Sequence, residues 1–187
     1  GNPNVTPEVT REVVLQQRLR AARLLTQDMY QLQSELIISC RFSPAMEELA
    51  NSIPVPTPHK REKYRCVIGY LIQRLVKTTR EIEKELAHVV APEDLAVGII
   101  DVDERMVTGW QSVEPIYDES DLLEPLKIMH SSLVETGFEL AADGLLVDIV
   151  RRVAVFGVSL VPLDIREEST KHTEALDAVT RYLGIGS

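Results

Sequence analysis

The sequence predicts a mostly α-helical fold, built on long antiparallel helices, with one β-strand near its carboxyl end. Two long stretches repeat apolar side chains at spacings of three and four residues, which is the period of an amphipathic helix. One short run, Val158 to Asp164, is apolar and rich in β-branched residues, which is typical of a buried strand. We therefore divide the chain into a helical region, residues 1–155, and a strand with its following helix, residues 156–187.

The first long helix is predicted to begin after Thr6, whose hydroxyl can cap it, with Pro7 at the first helical position. Its apolar stripe covers about six turns, so the helix should be longer than the globular mean of about 11 residues. The stripe consists of Leu15, Leu19, Ala22, Leu25, Met29, Leu32 and Leu36. The arginines on its other faces, expected to be solvated or ion-paired, are Arg11, Arg18, Arg20 and Arg23.

The second long helix is separated from the first by a short helix and a proline-rich loop. Ser43 and Pro44 start the short helix, which reaches Leu49, and the prolines of residues 53–58 force an extended backbone. The buried stripe of the second long helix is predicted to be Tyr64, Ile68, Leu71, Leu75, Ile82 and Leu86. Because the connection is short and each helix carries an apolar face, we expect the two to pack antiparallel.

Two shorter helices are predicted in the second half of the helical region. Residues 89–119 lack a regular pattern and are predicted to be a variable surface loop. Asp121 and Glu124 then form a capping box for a third helix that ends at Gly137. A fourth helix covers residues 145–155 and leads into the strand. The inward rows of these two helices are predicted to be Leu126, Met129 and Leu133, then Leu145, Ile149 and Val153.

After the strand, Ser169 or Thr170 is predicted to cap a last helix from Lys171 to Leu183, with Gly184 as its stop signal. A single strand leaves the backbone groups of both its edges without partners. The strand is therefore expected to pair with strands that lie outside this chain.

Charged residues follow the strand at its carboxyl end, where open α/β sheets and β/α barrels place ligand-binding groups. Arg166 lies there among Asp164, Glu167 and Glu168. A guanidinium can hold a phosphate or carboxylate with two parallel hydrogen bonds. An ion pair with a neighbouring acid is the alternative role for Arg166, and the spacing alone does not choose between the two.

Longer motifs occur in order from one end of the chain to the other. They occupy residues 1–10, 64–69, 122–126, 143–146, 151–153, 156–176 and 182–187. Together they resemble phosphoenolpyruvate carboxylase, and ordered motifs of this length are more specific than a lone short pattern. Members of that family are several times longer. The chain is therefore expected to be an internal segment of such an enzyme, and to be inactive by itself.

The resemblance implies a large, mostly helical enzyme whose active site lies at the end of an eight-stranded β/α barrel, to which the predicted strand belongs. It implies carboxylation of phosphoenolpyruvate by bicarbonate to oxaloacetate and phosphate, with Mg²⁺ or Mn²⁺ held by ligands outside this chain. It also implies an allosteric homotetramer. Arg166 matches the family arginine that contacts the substrate phosphate. The chain departs from the family at Pro162, where relatives mostly carry a basic residue, and at Glu167, which replaces a glutamine.

Arg65 is a second candidate site residue. It matches an arginine that is associated, in plant members of the family, with an activating sugar phosphate. Basic residues precede it at a helix start, where the helix dipole favours anions: His59, Lys60, Arg61 and Lys63. The alternative role is an arginine in ordinary surface ion pairs. An effector at Arg65 would suit the alternative function, a non-catalytic helical regulatory or assembly module that binds a phosphorylated effector.

Composition excludes some functions. Twenty basic and 29 acidic side chains give a net charge of −9, which argues against nucleic acid or an anionic membrane as a partner. Cys40 and Cys66 are isolated and are expected to be reduced thiols rather than a disulfide or metal framework. No apolar run is as long as the stretch of about 18 residues that a helix needs to cross a bilayer. The cytoplasm is therefore the expected location. No two of the four histidines have metal-ligand spacing.

Overall fold

The structure is a computed structural model that describes residues 6–38, 41–54, 62–88, 113–161 and 169–185. Within these ranges the regular structure is helical and includes no strand, so the prediction of a mostly α fold is confirmed. The helices are α1 Pro7–Glu35, α2 Pro44–Ser52, α3 Lys63–Leu86, α4 Ser120–Glu135, α5 Glu139–Ala141, α6 Val147–Phe156 and α7 Ser169–Tyr182. None of these helices combines the length and the apolar character needed to cross a membrane.

Helices α1 and α3 form the long antiparallel pair that the sequence predicts. The Thr6 hydroxyl accepts a hydrogen bond from the Val9 backbone N–H at 3.3 Å, which caps α1 as expected. Near the start of α1 and the end of α3, the core brings together Leu15, Leu19, Ile82 and Leu86. Both predicted stripes are buried along their whole length. Pairing of their two apolar faces therefore accounts for the body of the fold.

Helices α2 and α4 pack against α3 and meet it at a buried hydroxyl, and α6 packs against α4. The Ser132 side chain of α4 lies 2.7 Å from the Tyr64 hydroxyl of α3. It also accepts a hydrogen bond from the Ser43 backbone N–H, at the start of α2, at 2.9 Å. Around it lies the main apolar core, to which α4 and α6 contribute Leu122, Leu126, Met129, Leu133, Ile149 and Val153. One polar contact thus joins three helices inside an otherwise apolar core.

The end of the predicted surface loop, residues 113–119, is irregular as predicted, but part of it is buried rather than at the surface. Residues 89–112 lie outside the described ranges, but Val113 and Ile116 are buried against α3. Lys77 Nζ donates to the Val113 carbonyl at 2.6 Å, and Ile116 N–H donates to the Thr78 hydroxyl at 2.7 Å. Arg74 donates to the backbone carbonyls of the two residues between Val113 and Ile116. Polar side chains of α3 therefore hold an irregular backbone that apolar periodicity does not reveal.

The predicted capping box at the start of α4 is also wrong. The helix begins at Ser120, so Asp121 lies inside the first turn, and the cap residue Glu119 makes no side-chain capping bond. The Asp121 carboxylate instead forms an ion pair with Arg74 of α3, at 3.0 Å. The backbone N–H of Ser120 donates to Asp118 Oδ1 at 2.8 Å. A tertiary ion pair has replaced the local bond that the sequence pattern favours.

The fourth predicted helix is shorter at its start than residues 145–155. Ala142–Leu146 form a wide π-type turn, with non-helical backbone angles at Gly144, and α6 begins at Val147. The irregular turn changes which leucine faces inward: Leu146 is fully buried, whereas Leu145 is only partly buried. Ile149 and Val153 are buried as predicted.

The described residues do not contain the predicted strand. Helix α6 continues to Phe156, residues 157–161 form turns and bends, and residues 162–168 lie outside the described ranges. An isolated strand has no neighbour to accept its backbone hydrogen bonds, so this chain alone does not provide what a strand needs. After the gap, Ser169 is the first residue of α7 rather than its cap, and α7 has no buried residue.

Candidate functional site

The residue with the strongest sequence argument, Arg166, lies outside the described ranges. The structure instead describes the turn that ends α6, residues 156–157, which we name the α6 turn. The Gly157 N–H still makes the helical hydrogen bond to the Val153 carbonyl, at 2.8 Å, and α6 ends because the backbone of Gly157 takes φ +60° and ψ −142°. These angles lie in the mirror image of the extended region, which glycine alone occupies readily.

Both sides of the α6 turn are anchored. Before it, Ile149 and Val153 are fully buried in the core, and Arg152 forms an ion pair with Asp28 of α1. After it, Val158 is again buried, with an exposed fraction of 8%. Because apolar side chains hold the backbone on both sides, the angles at Gly157 determine the direction in which the chain leaves α6.

A cavity of about 400 Å³ adjoins the α6 turn. Its charged lining comes from Arg18 of α1 and from Asp118 and Glu119, and Phe156 and Val158 contribute apolar surface. The hydrogen bond from the Ser120 backbone N–H holds the pKa of the exposed Asp118 carboxyl below its usual value. One guanidinium beside two carboxylates leaves no excess of positive charge, so these residues alone do not form a phosphate site.

Arg65, the second candidate, lies near the start of α3 and is already paired. Its Nη1 donates to Glu62 Oε2 at 2.8 Å, and 40% of its side chain is exposed. Its backbone carbonyl accepts a hydrogen bond from Gln33 of α1 at 3.1 Å. The Arg65 Nε is buried and has no hydrogen-bond partner. These contacts favour the structural role over the effector site.

The basic cluster that precedes Arg65 is described only at Lys63, because His59, Lys60 and Arg61 lie outside the described ranges. Lys63 Nζ donates to Glu47 Oε1 of α2 at 2.7 Å and lies 5.0 Å from the centre of the Phe42 ring. Lys63 therefore joins α2 to α3. Its charge is neutralised within the fold rather than left for an anionic ligand.

The sequence arguments did not single out Arg74. It lies on one face of α3 with Lys77 and Thr78, pairs with Asp121, and lies 5.9 Å from the centre of the Tyr70 ring. A second cavity, of about 300 Å³, adjoins this cluster between α2, α3 and α4. The only signal in the sequence is the spacing of these three polar side chains, which places them on a single face of α3.

Other reactive groups in the described ranges do not assemble into a catalytic or metal centre. His130 Nε2 lies 3.7 Å from Asp143 Oδ1 and makes no hydrogen bond. Burial raises the pKa of the Cys66 thiol, which keeps it protonated and unreactive. No group of three or more described His, Cys, Asp or Glu residues is placed to hold a metal ion. Cys40 lies outside the described ranges.

Comparisons with known proteins agree on one family. The family profile described as phosphoenolpyruvate carboxylase matches residues 1–187. The chain is 40% identical to a phosphoenolpyruvate carboxylase of Pectobacterium carotovorum, over all of this chain and 18% of that protein. It is 38% identical to one from Yersinia pseudotuberculosis, over 18% of that protein. It is 35% identical to phosphoenolpyruvate carboxylase 1 of Chlamydomonas reinhardtii, over 20% of that protein. The chain thus spans about a fifth of the length of these curated relatives.

Proposed function

The chain belongs to the phosphoenolpyruvate carboxylase family, and from that premise we propose that it is a segment of an enzyme that carboxylates phosphoenolpyruvate with bicarbonate, giving oxaloacetate and phosphate. The observation that carries the proposal is the match of the family profile to the whole chain, together with 40% identity to a relative of that name. Because the chain spans 18% of that relative, the activity is assigned to a longer protein and not to these residues alone.

In the proposed reaction, a bicarbonate oxygen attacks the phosphorus of phosphoenolpyruvate, and the bond between phosphorus and the enol oxygen breaks. The products of this step are carboxyphosphate and the enolate of pyruvate. Carboxyphosphate releases carbon dioxide and phosphate, and the enolate carbon then bonds to the carbon dioxide to form oxaloacetate. Negative charge moves between the phosphoryl oxygens and the enolate, so fixed positive charge around them lowers the barrier.

Arg166 is the residue of this chain to which we assign a part in that chemistry. Its guanidinium would hold the substrate phosphate with two parallel hydrogen bonds and keep its charge at any pH at which the enzyme works. Support comes from the Asp164-Ile165-Arg166 motif and from its position after the predicted barrel strand. Glu167 places a carboxylate next to this guanidinium in the sequence, where it is expected to weaken phosphate binding unless it points away.

The proposal includes a divalent cation, Mg²⁺ or Mn²⁺, which would supply a Lewis acid for the phosphoryl and enolate oxygens. The residues described here do not fit such a site, because no group of three possible ligands is close enough together. We assign its ligands to parts of the longer protein outside this chain. The homotetrameric assembly implied by the family resemblance and the cytoplasmic location expected from the sequence belong to this proposal as well.

Replacement of Arg166 tests the proposal in the full-length protein. We expect Arg166→Ala to reduce kcat/KM for oxaloacetate formation about 1000-fold or more, because it removes the phosphate contact from the transition state. The matched control is Arg11→Ala, which removes an exposed arginine of α1 and should leave kcat/KM within about twofold. Near-normal turnover by Arg166→Ala would remove the assigned role. Absence of oxaloacetate formation by the wild-type protein would refute the enzyme itself.

The alternative function, a non-catalytic module with an effector at Arg65, gains no support from the contacts of that residue. The guanidinium is paired with Glu62, and the neighbouring Lys63 is paired with Glu47. A phosphorylated effector would have to compete with both carboxylates for these cations. We therefore propose the carboxylase segment alone.

A further inference from the structure

The cavity between α2, α3 and α4 combines an ion pair with an apolar wall. Its volume of about 300 Å³ is at the lower end of the range for small-molecule sites. The charged part of the lining is Arg74 and Asp121, whose side chains pair at 3.0 Å. The apolar wall includes Leu49, Ile53, Val67 and Leu71. A ligand that fits this cavity therefore needs a compact apolar part next to a polar end.

Asp121 keeps two oxygen atoms for a ligand. Its Oδ2 atom pairs with Arg74, and the other carboxylate oxygen, Oδ1, takes no part in that contact. Its backbone carbonyl also lacks the usual helical partner, because the residue four positions later is Pro125, which lies inside α4 and has no N–H. Asp121 and Pro125 both line the cavity. An ammonium group can donate hydrogen bonds to both oxygens and also neutralises the carboxylate.

Arg74 keeps one nitrogen atom for a ligand. Its Nε and Nη2 atoms donate to the carbonyls of Glu114 and Pro115, and Nη2 also contacts Asp121. These contacts do not use Nη1, which carries two further N–H donors. Only 13% of the side chain is exposed, so water screens its charge weakly. A carboxylate is the group that such donors bind best.

We propose that this cavity binds a free α-amino acid with an aliphatic side chain, such as leucine. The ammonium group lies against Asp121, the carboxylate lies against Arg74, and the aliphatic side chain contacts the apolar wall. The ion pair has no net charge, so a zwitterion pairs both of its own charges, whereas an amine or an acid alone pairs only one side. The cavity belongs to three helices, so the bound amino acid stabilises their packing.

The first test measures binding of L-leucine to the full-length protein by isothermal titration calorimetry. Binding is expected to saturate with a Kd of about 1 mM or lower. Three comparison ligands each lack one part of leucine: isoamylamine lacks the carboxylate, isocaproate lacks the ammonium group, and glycine lacks the aliphatic side chain. Each is expected to bind about tenfold more weakly or worse, because one part of the cavity is left without its partner.

The second test uses two pairs of variants in the full-length protein. Ser120→Trp places a large side chain at an exposed residue of the cavity lining and should raise the Kd for L-leucine about tenfold or more. Its control, Ser131→Trp, changes an exposed residue of α4 outside that lining. Asp121→Asn removes the carboxylate and should raise the Kd about tenfold or more. Its control, Glu124→Gln, removes an exposed carboxylate of α4. Both controls should keep the Kd within about twofold of wild type.

Absence of saturable L-leucine binding to the full-length protein would overturn the proposal. Equal affinity for L-leucine and any of the three comparison ligands would overturn the assigned chemistry. A wild-type Kd in folded Ser120→Trp or Asp121→Asn would mean that leucine binds elsewhere. If Asp121→Asn does not fold without its ion pair to Arg74, Ser120→Trp and its control decide. Calorimetry needs no turnover, so failure here leaves the proposed function to the separate test with Arg166→Ala.

Discussion

Helices α3 and α7 carry the same apolar periodicity and have opposite environments. Every residue of the predicted α3 stripe is buried, from Tyr64 to Leu86. In α7, Leu176 and Val179 are more than half exposed, and no residue of the helix is buried. The comparison teaches that spacing determines which face of a helix is apolar, but does not determine whether anything covers that face.

The difference follows from the neighbours that each helix has. Helix α3 lies between α1, α2 and α4, and its polar residues Arg74, Lys77 and Thr78 also hold the backbone of residues 113–116. Within the described ranges α7 has no such neighbours. Under the proposed function, the rest of the longer protein covers the apolar face of α7.

The largest expected effect on stability comes from truncating a leucine of α3, and the same truncation in α7 is the comparison. Leu75→Ala should lower the free energy of unfolding by about 2–5 kcal/mol, because it opens a cavity in the core. Leu176→Ala, at a side chain with an exposed fraction of 65%, should change it by less than about 0.5 kcal/mol. Urea denaturation of this chain measures both. Equal losses would contradict the contrast between the two helices.

The same two leucine variants, measured in the full-length protein, test whether the apolar face of α7 is covered there. If the remainder of the protein covers α7, Leu176→Ala should there cost about 2 kcal/mol or more, as for a core leucine. Slow amide hydrogen exchange along α7, absent from the isolated chain, would accompany it. An unchanged, negligible effect in the full-length protein would show that this face remains exposed.

A smaller effect on stability is expected from the buried Tyr64 hydroxyl of α3. Burial raises the pKa of Tyr64 above its usual 10.0, and its hydrogen bond to Ser132 opposes this only in part. A group whose pKa is raised by folding stabilises the fold below its unfolded pKa and loses that contribution as pH rises through the folded value. Wild-type stability should therefore fall above about pH 10, where the unfolded phenol ionises.

Tyr64→Phe in α3 tests this pH dependence, and Tyr182→Phe in α7 is the control. Tyr64→Phe should cost about 1–2 kcal/mol at neutral pH, because Ser132 loses a partner, and its stability should fall less steeply in alkali than that of the wild type. Tyr182 is 90% exposed, so Tyr182→Phe should match the wild type in both respects. Parallel alkaline curves for wild type and Tyr64→Phe would exclude Tyr64 as their cause.

The smallest effect is expected where the two helices are alike, at exposed ion pairs. Arg11 lies 3.6 Å from Glu85 of α3, and Arg181 pairs with Asp177 within α7. Both arginines are mostly exposed, so Arg11→Ala and Arg181→Ala should each change the free energy of unfolding by less than about 1 kcal/mol. Urea denaturation checks this. A larger loss at Arg11 would mean that charge, as well as burial, distinguishes α3 from α7.

The helical body was predictable because its signals are local and repeated. Thr6 caps α1, Ser43 and Pro44 start α2, and Gly137 ends α4, all as expected. The errors occur where a distant residue or a backbone kink overrides the periodic pattern. Asp121 pairs with Arg74 instead of capping α4, and a kink at Gly144 moves Leu146 into the core in place of Leu145.

For the candidate site, the phosphate-binding role of Arg166 stays a prediction, because that residue lies outside the described ranges. The motif around Arg166 also gives no indication of how the preceding turn is held. The mirror-image backbone of Gly157 and the buried side chain of Val158 became visible only in the structure. A glycine in a sequence is compatible with many backbone angles, so its sequence alone does not reveal which of them the fold requires.

By itself, the amino-acid sequence determined the helices, the faces they bury and the family to which the chain belongs, because periodicity and ordered motifs are properties of neighbouring residues. The tertiary structure alone decided that polar side chains of α3 hold residues 113–116 and that Asp121 forms an ion pair with Arg74. It also decided that α6 ends with backbone angles that only glycine adopts readily. These features depend on contacts between residues far apart in the chain, and the free energy of such contacts exceeds the local preferences that a sequence displays.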